Sequence, residues 1–496
     1  MSNQLVVGLD LGSSGVKAAL VDPERGVLST ASRPVDLHSP HPGWAEADPA
    51  QWWSGVTAVV PEVLTRAGRN ASEVSAVSCS GMVPAVLCID KRGTPQRPAI
   101  LQNDARAVQE IRELREELAD VDLLGRTGSI LSQQSVAPTL RWLQRNEPEL
   151  WRSTRLIMGS YDWLTLRLGG ACGVERNWAL ESGLYDLDGG PVTEVHDAVC
   201  LDPSLVPPVK APGDRAGRLS SAAAAQTGLV AGTPIVIGGA DHVLSAYGAG
   251  VADEGEWLIK LGGAGDVLAA SCSPVVDARL YLDAHPIPEL WLPNGCMATS
   301  GAVVRWLDAV LGSPGLEVLE AEASASTPGA LLCLPYFLGE KTPHHDPNLR
   351  GAFIGLHLGT SRADLHRAVL ESVAYGFRQH RDLLVGLGLP LRSPRVTNGG
   401  SRSTLWKQVL ADVLQTPVLP VVNHPGASFG AAAAAAVGVG LVESWDHIAQ
   451  LVQLGSPLLP EPARTAIYHD RYELWLELQP ALRPFSHQLA EGTPNA

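Results

Sequence analysis

At 496 residues the chain is too long for one ordinary core, and its length points to two or three domains. Its 45% hydrophobic and 18% charged residues describe a globular chain, with 50 glycines and 37 prolines dispersed rather than gathered in a low-complexity tract. Lys+Arg 37 against Asp+Glu 52 leaves a net charge of −15, which works against nonspecific binding to nucleic acid or an anionic membrane, so any phosphate site must build its positive potential locally.

In chain order, the first element is a hairpin. An apolar strand from Leu5 runs into Asp10, a turn follows at Gly12, Ser13, Ser14 and Gly15, and Val16 to Val21 returns. The turn lets backbone N–H groups face an anion, Asp10 offers a carboxylate to a metal, and Lys17 offers charge. The spacing does not match G-x-x-x-x-G-K-[ST], which excludes a P-loop and favours a hairpin that resembles the phosphate hairpins of actin-like proteins or sugar kinases, against an ordinary N-terminal hairpin. Asp48-Pro49 starts a helix, with Asp48 as N-cap and Pro49 at the first helical position. Strands are expected at 74–78 and 85–89, helices at 105–118 and 139–145, and a connector at 207–217, an α/β pattern.

Near the middle, a strand at 234–237 leads into Gly238-Gly239-Ala240-Asp241, followed by a small-residue helix over 242–248. Residues 257–268 then repeat the plan of the first hairpin: strand, glycine turn, strand. Two such hairpins, each opening a half of similar length, imply a duplicated fold that grips a nucleotide between its halves. The boundary falls near Gly250 to Glu254, dividing the chain into 1–249 and 250–496. Further on, Arg395-Val396-Thr397 reads as a strand, and Asn398-Gly399-Gly400 opens a helix where backbone can approach a flat ligand such as adenine. The Ala-rich helix at 431–437 reads as close packing.

Seven dispersed cysteines, without a C-x-x-C pair, read as buried free thiols in a reducing compartment. Met1 to Gln4 enters the first strand without a basic n-region, and the most apolar stretch, 431–439, is too short to span a bilayer, so a cytoplasmic protein is expected.

Taken in order, these segments resemble the FGGY carbohydrate kinases, and among them the xylulokinase-like pentulose kinases. The resemblance runs over almost the whole chain. It includes the Asp10 hairpin, residues 42–49 (PGWAEADP), 97–106 (RPAILQNDAR), the Gly-Gly-x-Asp at Asp241, residues 334–343 (LPYFLGEKTP), 351–356 (GAFIGL) and 365–371. It implies two ribonuclease-H-like, actin-type α/β domains with ATP and a small-molecule sugar in the cleft. Asp241 is then the general base and Asp10 a ligand of Mg²⁺. On the nucleotide side it implies Asp10, Gly12, Ser13, Ser14, Lys17, Gly262, Gly263, Gly301, Arg305, Gly399, Gly400 and Thr404. On the sugar side it implies Met82, Val83, Pro84, Asp104, Asp241 and His242. A homodimer stays open.

Departures from the family pattern bear on specificity. Xylulokinases carry Gly-Gln-Met-His-Gly where this chain has Gly81-Met82-Val83-Pro84-Ala85, and His242 replaces the usual Asn after the base. Gly262-Gly263-Ala264-Gly265 stands for Gly-Thr-Ser-Gly, keeping backbone donors and losing hydroxyls. A ketopentose, another ketose or a polyol all fit, and a noncatalytic actin-like sensor is the rival of another class. Lys17, Lys260 and Arg305 are candidate phosphate-side cations, with a solvated surface charge the favoured reading of each. Ser14-x-x-Lys17 lacks the companion motifs of penicillin-recognising enzymes. His344-His345-Asp346 reads as structural rather than metal-binding, and Trp52, Trp53 and Trp142 as core packing.

Overall fold

The computed structural model describes residues 4–423 and 426–492, so the first three residues of the N-terminal reading lie outside it. Two six-stranded sheets organise the described chain. The first combines β1 (Leu5–Gly12), β2 (Gly15–Asp22), β3 (Gly26–Pro34), β4 (Val74–Gly81), β5 (Arg215–Arg218) and β6 (Pro234–Ala240) in the order β5-β6-β4-β1-β2-β3. β1 and β2 form the expected antiparallel hairpin, with Asp10 opposite Lys17, and β4 runs parallel to both β1 and β6. Both strands that carry the expected carboxylates therefore end at the same edge of one parallel run.

The second sheet repeats this plan. It combines β7 (Trp257–Leu261), β8 (Gly265–Ala269), β9 (Tyr281–Ala284), β10 (Trp291–Met297), β11 (Arg395–Thr397) and β12 (Leu419–Pro420) in the order β9-β10-β8-β7-β11-β12. Again an antiparallel hairpin, β7-β8, is flanked by a parallel neighbour, β11. The two sheets thus share a run of three antiparallel strands followed by two parallel ones.

Helix α1 (Pro49–Ala67) begins as read: the Asp48 side chain accepts from the Ala50 N–H at 2.8 Å, with Pro49 first in the helix. Its Trp52, Val56, Val59, Val60 and Val63 are buried against the first hairpin and β3. Helix α2 (Asp241–Gly248) follows β6 directly. In the second half, α3 (Gly301–Val310), α4 (Arg362–Gly386) and α5 (Thr404–Leu414) pack around the second core.

Helix α6 (Ala427–Gly438) crosses back. It lies against β1, β4, β6 and α2, with Ala431 to Ala436 fully buried. A Cβ on Gly8 would sit 1.9 Å from the Ser428 carbonyl oxygen, so only glycine lets β1 and α6 approach this closely. A cut near residue 250 separates the two sheets, while α6 from the second half completes the first.

Two local readings need correction. The 207–217 connector contains the start of β5, whose sequence RAGR lacks apolar alternation because it forms a polar sheet edge. Of the seven free cysteines, Cys79, Cys88 and Cys333 are buried, but Cys200 and Cys272 are exposed.

Candidate active site

The site grows from the C-terminal ends of β1 and β6. Asp10 and Gly239 of β6 both pair in register with Ser80 of β4, so Asp241 emerges two residues further along and two strands away. At ~4.8 Å per strand the two backbones stand roughly 10 Å apart, with both carboxylates at the crevice beyond the strand ends. Asp10 is buried, and burial together with the Asp241 charge pushes its carboxyl up to about 6, against the pull of Lys17 and Lys260. Its Oδ1 has no hydrogen-bond partner. Asp241, the first residue of α2, keeps its side chain 34% exposed to the cleft.

Beyond Asp241 lies a network the sequence reading did not contain. His242 Nε2 is 2.7 Å from Asp283 Oδ2 on β9 and 3.8 Å from Glu181 Oε1, and its Nδ1 is 3.5 Å from Asp241 Oδ1. Asn294 of β10 donates to the same Asp283 oxygen at 2.6 Å. Burial opposes a charge on His242, but Asp283, Asp241 and Glu181 overrule it and hold the imidazolium well above its usual range. Burial and Asp283 push the Glu181 carboxyl well upward. His242 therefore ties Asp241 to a second-lobe carboxylate, and no motif spacing could have announced Glu181 or Asp283.

On the nucleotide side, a cavity of about 650 Å³ opens between the hairpins. Lys17 enters from the first hairpin, and Gly262 and Gly263 from the turn of the second. Gly301 and Arg305 of α3, and Gly399 and Gly400 after β11, complete the expected residues it gathers. The N–H groups of Ser300 and Ala302 donate to Gly263 O, and that of Gly301 to Gly262 O, locking the turn onto the start of α3. A Cβ on Gly301 would fall 2.7 Å from Gly262 O, and one on Gly263 would lie 3.3 Å from Arg305 Nη2. Gly12, Ser13 and Ser14 form the tip of the first hairpin, with both serines exposed, and line no wall of this cavity. Thr404 is exposed at the start of α5, while its neighbour Ser403 lines the cavity and accepts from the Trp406 N–H.

A second cavity, about 500 Å³, lies between Gln102, Asn103, Gln133 and Gln134 on one side and Tyr281 and Lys341 on the other. The expected sugar wall is not part of it. Met82 and Val83 are packed in the first core, Pro84 is buried beside them, and the Met82 carbonyl accepts from Ser160 Oγ at 2.9 Å. Asp104 spends both oxygens elsewhere: Oδ1 accepts from Arg106 N and Nε, and Oδ2 from Arg106 Nη2 and Ala45 N. Arg106 lies over Trp44 at 3.7 Å and also bonds Glu46, which explains why the 42–49 and 97–106 segments occur together.

Lys17 is 48% exposed and Arg305 is exposed, as read, but Lys260 is only 15% exposed and pairs with Asp266 at 3.1 Å. Solvation is therefore wrong for Lys260, because its strand turns it to the same face as Leu258, which packs in the core of the first lobe, where Asp266 pairs with it. Asp346 is held by Arg483 and His487, consistent with the structural reading of that loop. Trp52 is buried in the core, whereas Trp53 is half-buried and donates to Gln226.

The N-terminal domain of the FGGY family of carbohydrate kinases matches residues 5–248, and the C-terminal domain of that family matches residues 262–439. The chain is 42% identical to a solved xylulose kinase from Rhodospirillum rubrum, covering 97% of this chain and 100% of that one with a TM-score of 0.89. It is 30% identical to the L-xylulose/3-keto-L-gulonate kinase of Escherichia coli strain K12, over 99% of each chain. It is 28% identical to a xylulose kinase of Lactococcus lactis subsp. lactis strain IL1403, over 98% of each. With two repeated α/β sheets, an interlobe cleft and both domain matches in order, the chain belongs to the FGGY family of carbohydrate kinases and is a sugar kinase of the actin and hexokinase type of fold.

Proposed function

We propose that the protein transfers the γ-phosphoryl group of ATP to a hydroxyl of a ketopentose of the xylulose kind or a closely related ketose or polyol, with Asp241 as general base. The observation that carries this reading is the pair of carboxylates at the β1 and β6 ends in a chain that also holds a glycine-lined cavity and an amide-lined one. On this reading residues 1–249 and 250–496 form the two gripping units, with α6 returned to the first. Asp241 accepts the hydroxyl proton as the new O–P bond forms, a task for which a cleft-facing carboxylate suffices. His242 holds Asp241 Oδ1 from one side while Asp283 fixes the imidazole.

Mg²⁺ fits beside Asp10, whose buried Oδ1 lacks a partner, and when bound it neutralises phosphate charge. The adenosine end is assigned to Gly399 and Gly400, and the phosphates to the turn at Gly262 and Gly263 with Arg305 and Lys17. Because Met82 and Pro84 are buried, recognition of the sugar falls to His242 and to the amides of Gln102, Gln133 and Gln134. The xylulose-type substrate is supported by the names of the relatives, and the amide wall suits hydroxyl groups in general.

The test is ADP release with purified protein across a panel of ketoses, polyols and aldonates. One member of the first two classes should drive sugar-dependent turnover. Asp241→Asn should leave ATP binding nearly intact and lower that turnover at least about 10²-fold, the range for losing a positioned base. Full turnover in the variant would move the base elsewhere.

A further inference from the structure

The second hairpin contains a partly buried ion pair that the mechanism above leaves unused. In the first hairpin the outgoing strand carries the acid and the return strand the base, Asp10 opposite Lys17. In the second the order is reversed, Lys260 opposite Asp266. The two pairs also differ in setting. Lys17 Nζ is 4.0 Å from Asp10 and half exposed, whereas Lys260 Nζ is 3.1 Å from Asp266 and largely buried.

Alternation along β7 explains where Lys260 points. Leu261, its neighbour, is buried in the second core, so Lys260 projects from the opposite face of the strand, the face on which Leu258 packs into the core of the first lobe. There the charges of Asp266 and Asp241 and the Cys296 thiol act on its ammonium, and Lys260 in turn acts on Asp10. Burial works against the charge on Lys260, yet these carboxylates keep it firmly protonated. One ammonium of the second lobe therefore adds its positive field to both carboxylates of the first while its one ion pair is with Asp266.

The chemistry of the site needs such a group. The turn that faces the nucleotide cavity, Gly262-Gly263-Ala264, has no hydroxyl side chain and supplies backbone donors alone. Across from it stand two carboxylates, Asp10 and Asp241, which repel a phosphoryl group in flight. A buried ion pair is a weak source of stability, because desolvation offsets most of the attraction, so packing alone gives little reason for one at this spot.

We propose that Lys260 is a catalytic residue that binds the transferring phosphoryl group from the second lobe, with Asp266 holding its ammonium in place. The inference rests on the kinase reading above. In the step it serves, the acceptor oxygen bonds to the γ-phosphorus while its proton passes to Asp241. The bond from that phosphorus to the β–γ bridging oxygen breaks, its electron pair leaving with ADP. Lys260 keeps its proton throughout and meets the equatorial oxygens as their charge develops.

The experiment compares wild type, Lys260→Met, Lys260→Arg and the double variant Lys260→Met with Asp266→Asn. It measures sugar-dependent ADP release, ATP affinity by calorimetry, and thermal unfolding. Lys260→Met alone strands Asp266 without its partner and can fail to fold. The double variant removes both charges together and keeps the volume. The expected result is a folded double variant that binds ATP within about threefold of wild type while its kcat falls about 10²-fold or more, the scale for losing one donor to a developing oxyanion, with Lys260→Arg retaining part of the rate. A double variant whose kcat returns to within about threefold of wild type would overturn the proposal and leave the pair a packing device. Wild type that releases no ADP with any sugar would instead sink the kinase reading itself, and the role of Lys260 with it.

Discussion

Asp10, two residues before the end of β1, has one buried carboxylate oxygen that no donor reaches, and an oxygen in that state is costly unless a cation completes it. Replacing it by Asn keeps the shape and removes the charge. Asp10→Asn should raise the Mg²⁺ needed for half-maximal ADP release by about tenfold or more, a loss typical of disturbed metal sites, and should weaken Mn²⁺ binding followed by paramagnetic resonance. Equal Mg²⁺ curves and equal Mn²⁺ affinity in both proteins would exclude the metal role. Met82 and Pro84 call for the opposite caution about mutation. Restoring Gln and His there would place two polar side chains in a packed core at a cost of about 1–3 kcal/mol for each unpaired group, so such a variant reports on folding before it reports on sugar choice.

At the scale of elements, the decisive contact is α6 on β1. Six consecutive alanines are fully buried because the helix must lie almost on the strand backbone, and Gly8 removes the last Cβ from this interface, while Gly430 does the same where α6 meets Leu244 of α2. Gly8→Ala would force its Cβ against Ser428 O and Ala432 N, both of them backbone atoms that cannot swing away. The substitution should destabilise the protein by about 1–3 kcal/mol or more, read as a lower urea midpoint. It should also weaken nucleotide binding, since Asp10 lies two residues further along the same strand. A midpoint unchanged from wild type would mean that α6 is free to move off the sheet.

For the whole molecule, the two sheets place their hairpins on opposite sides of one cavity, with Lys17 from the first lobe and Gly262, Gly399 and Arg305 from the second. A ligand that touches both lobes draws them together, and phosphoryl transfer benefits when water is excluded from the cleft. Small-angle scattering should therefore give a smaller radius of gyration with a nonhydrolysable ATP analogue and an accepted sugar than without them. Identical curves would indicate a cleft already fixed in shape.

Local chemistry was readable from the chain alone. The glycine turns, the Asp48-Pro49 helix start and the carboxylates at strand ends depend on backbone sterics and spacing within about ten residues, and the structure has the hairpins and α1 where those signals put them. Tertiary structure alone decided which side chains meet. Glu181 ends a short helix, Asp283 lies on β9, and His242 joins them across separations of 61 and 41 residues that no periodicity encodes. The burial of Lys260, the diversion of Asp104 to Arg106 and the packing of Met82 into the core have the same origin. A residue's type fixes what its side chain can do, but its desolvation and its partners come from distant segments that only the folded chain brings together.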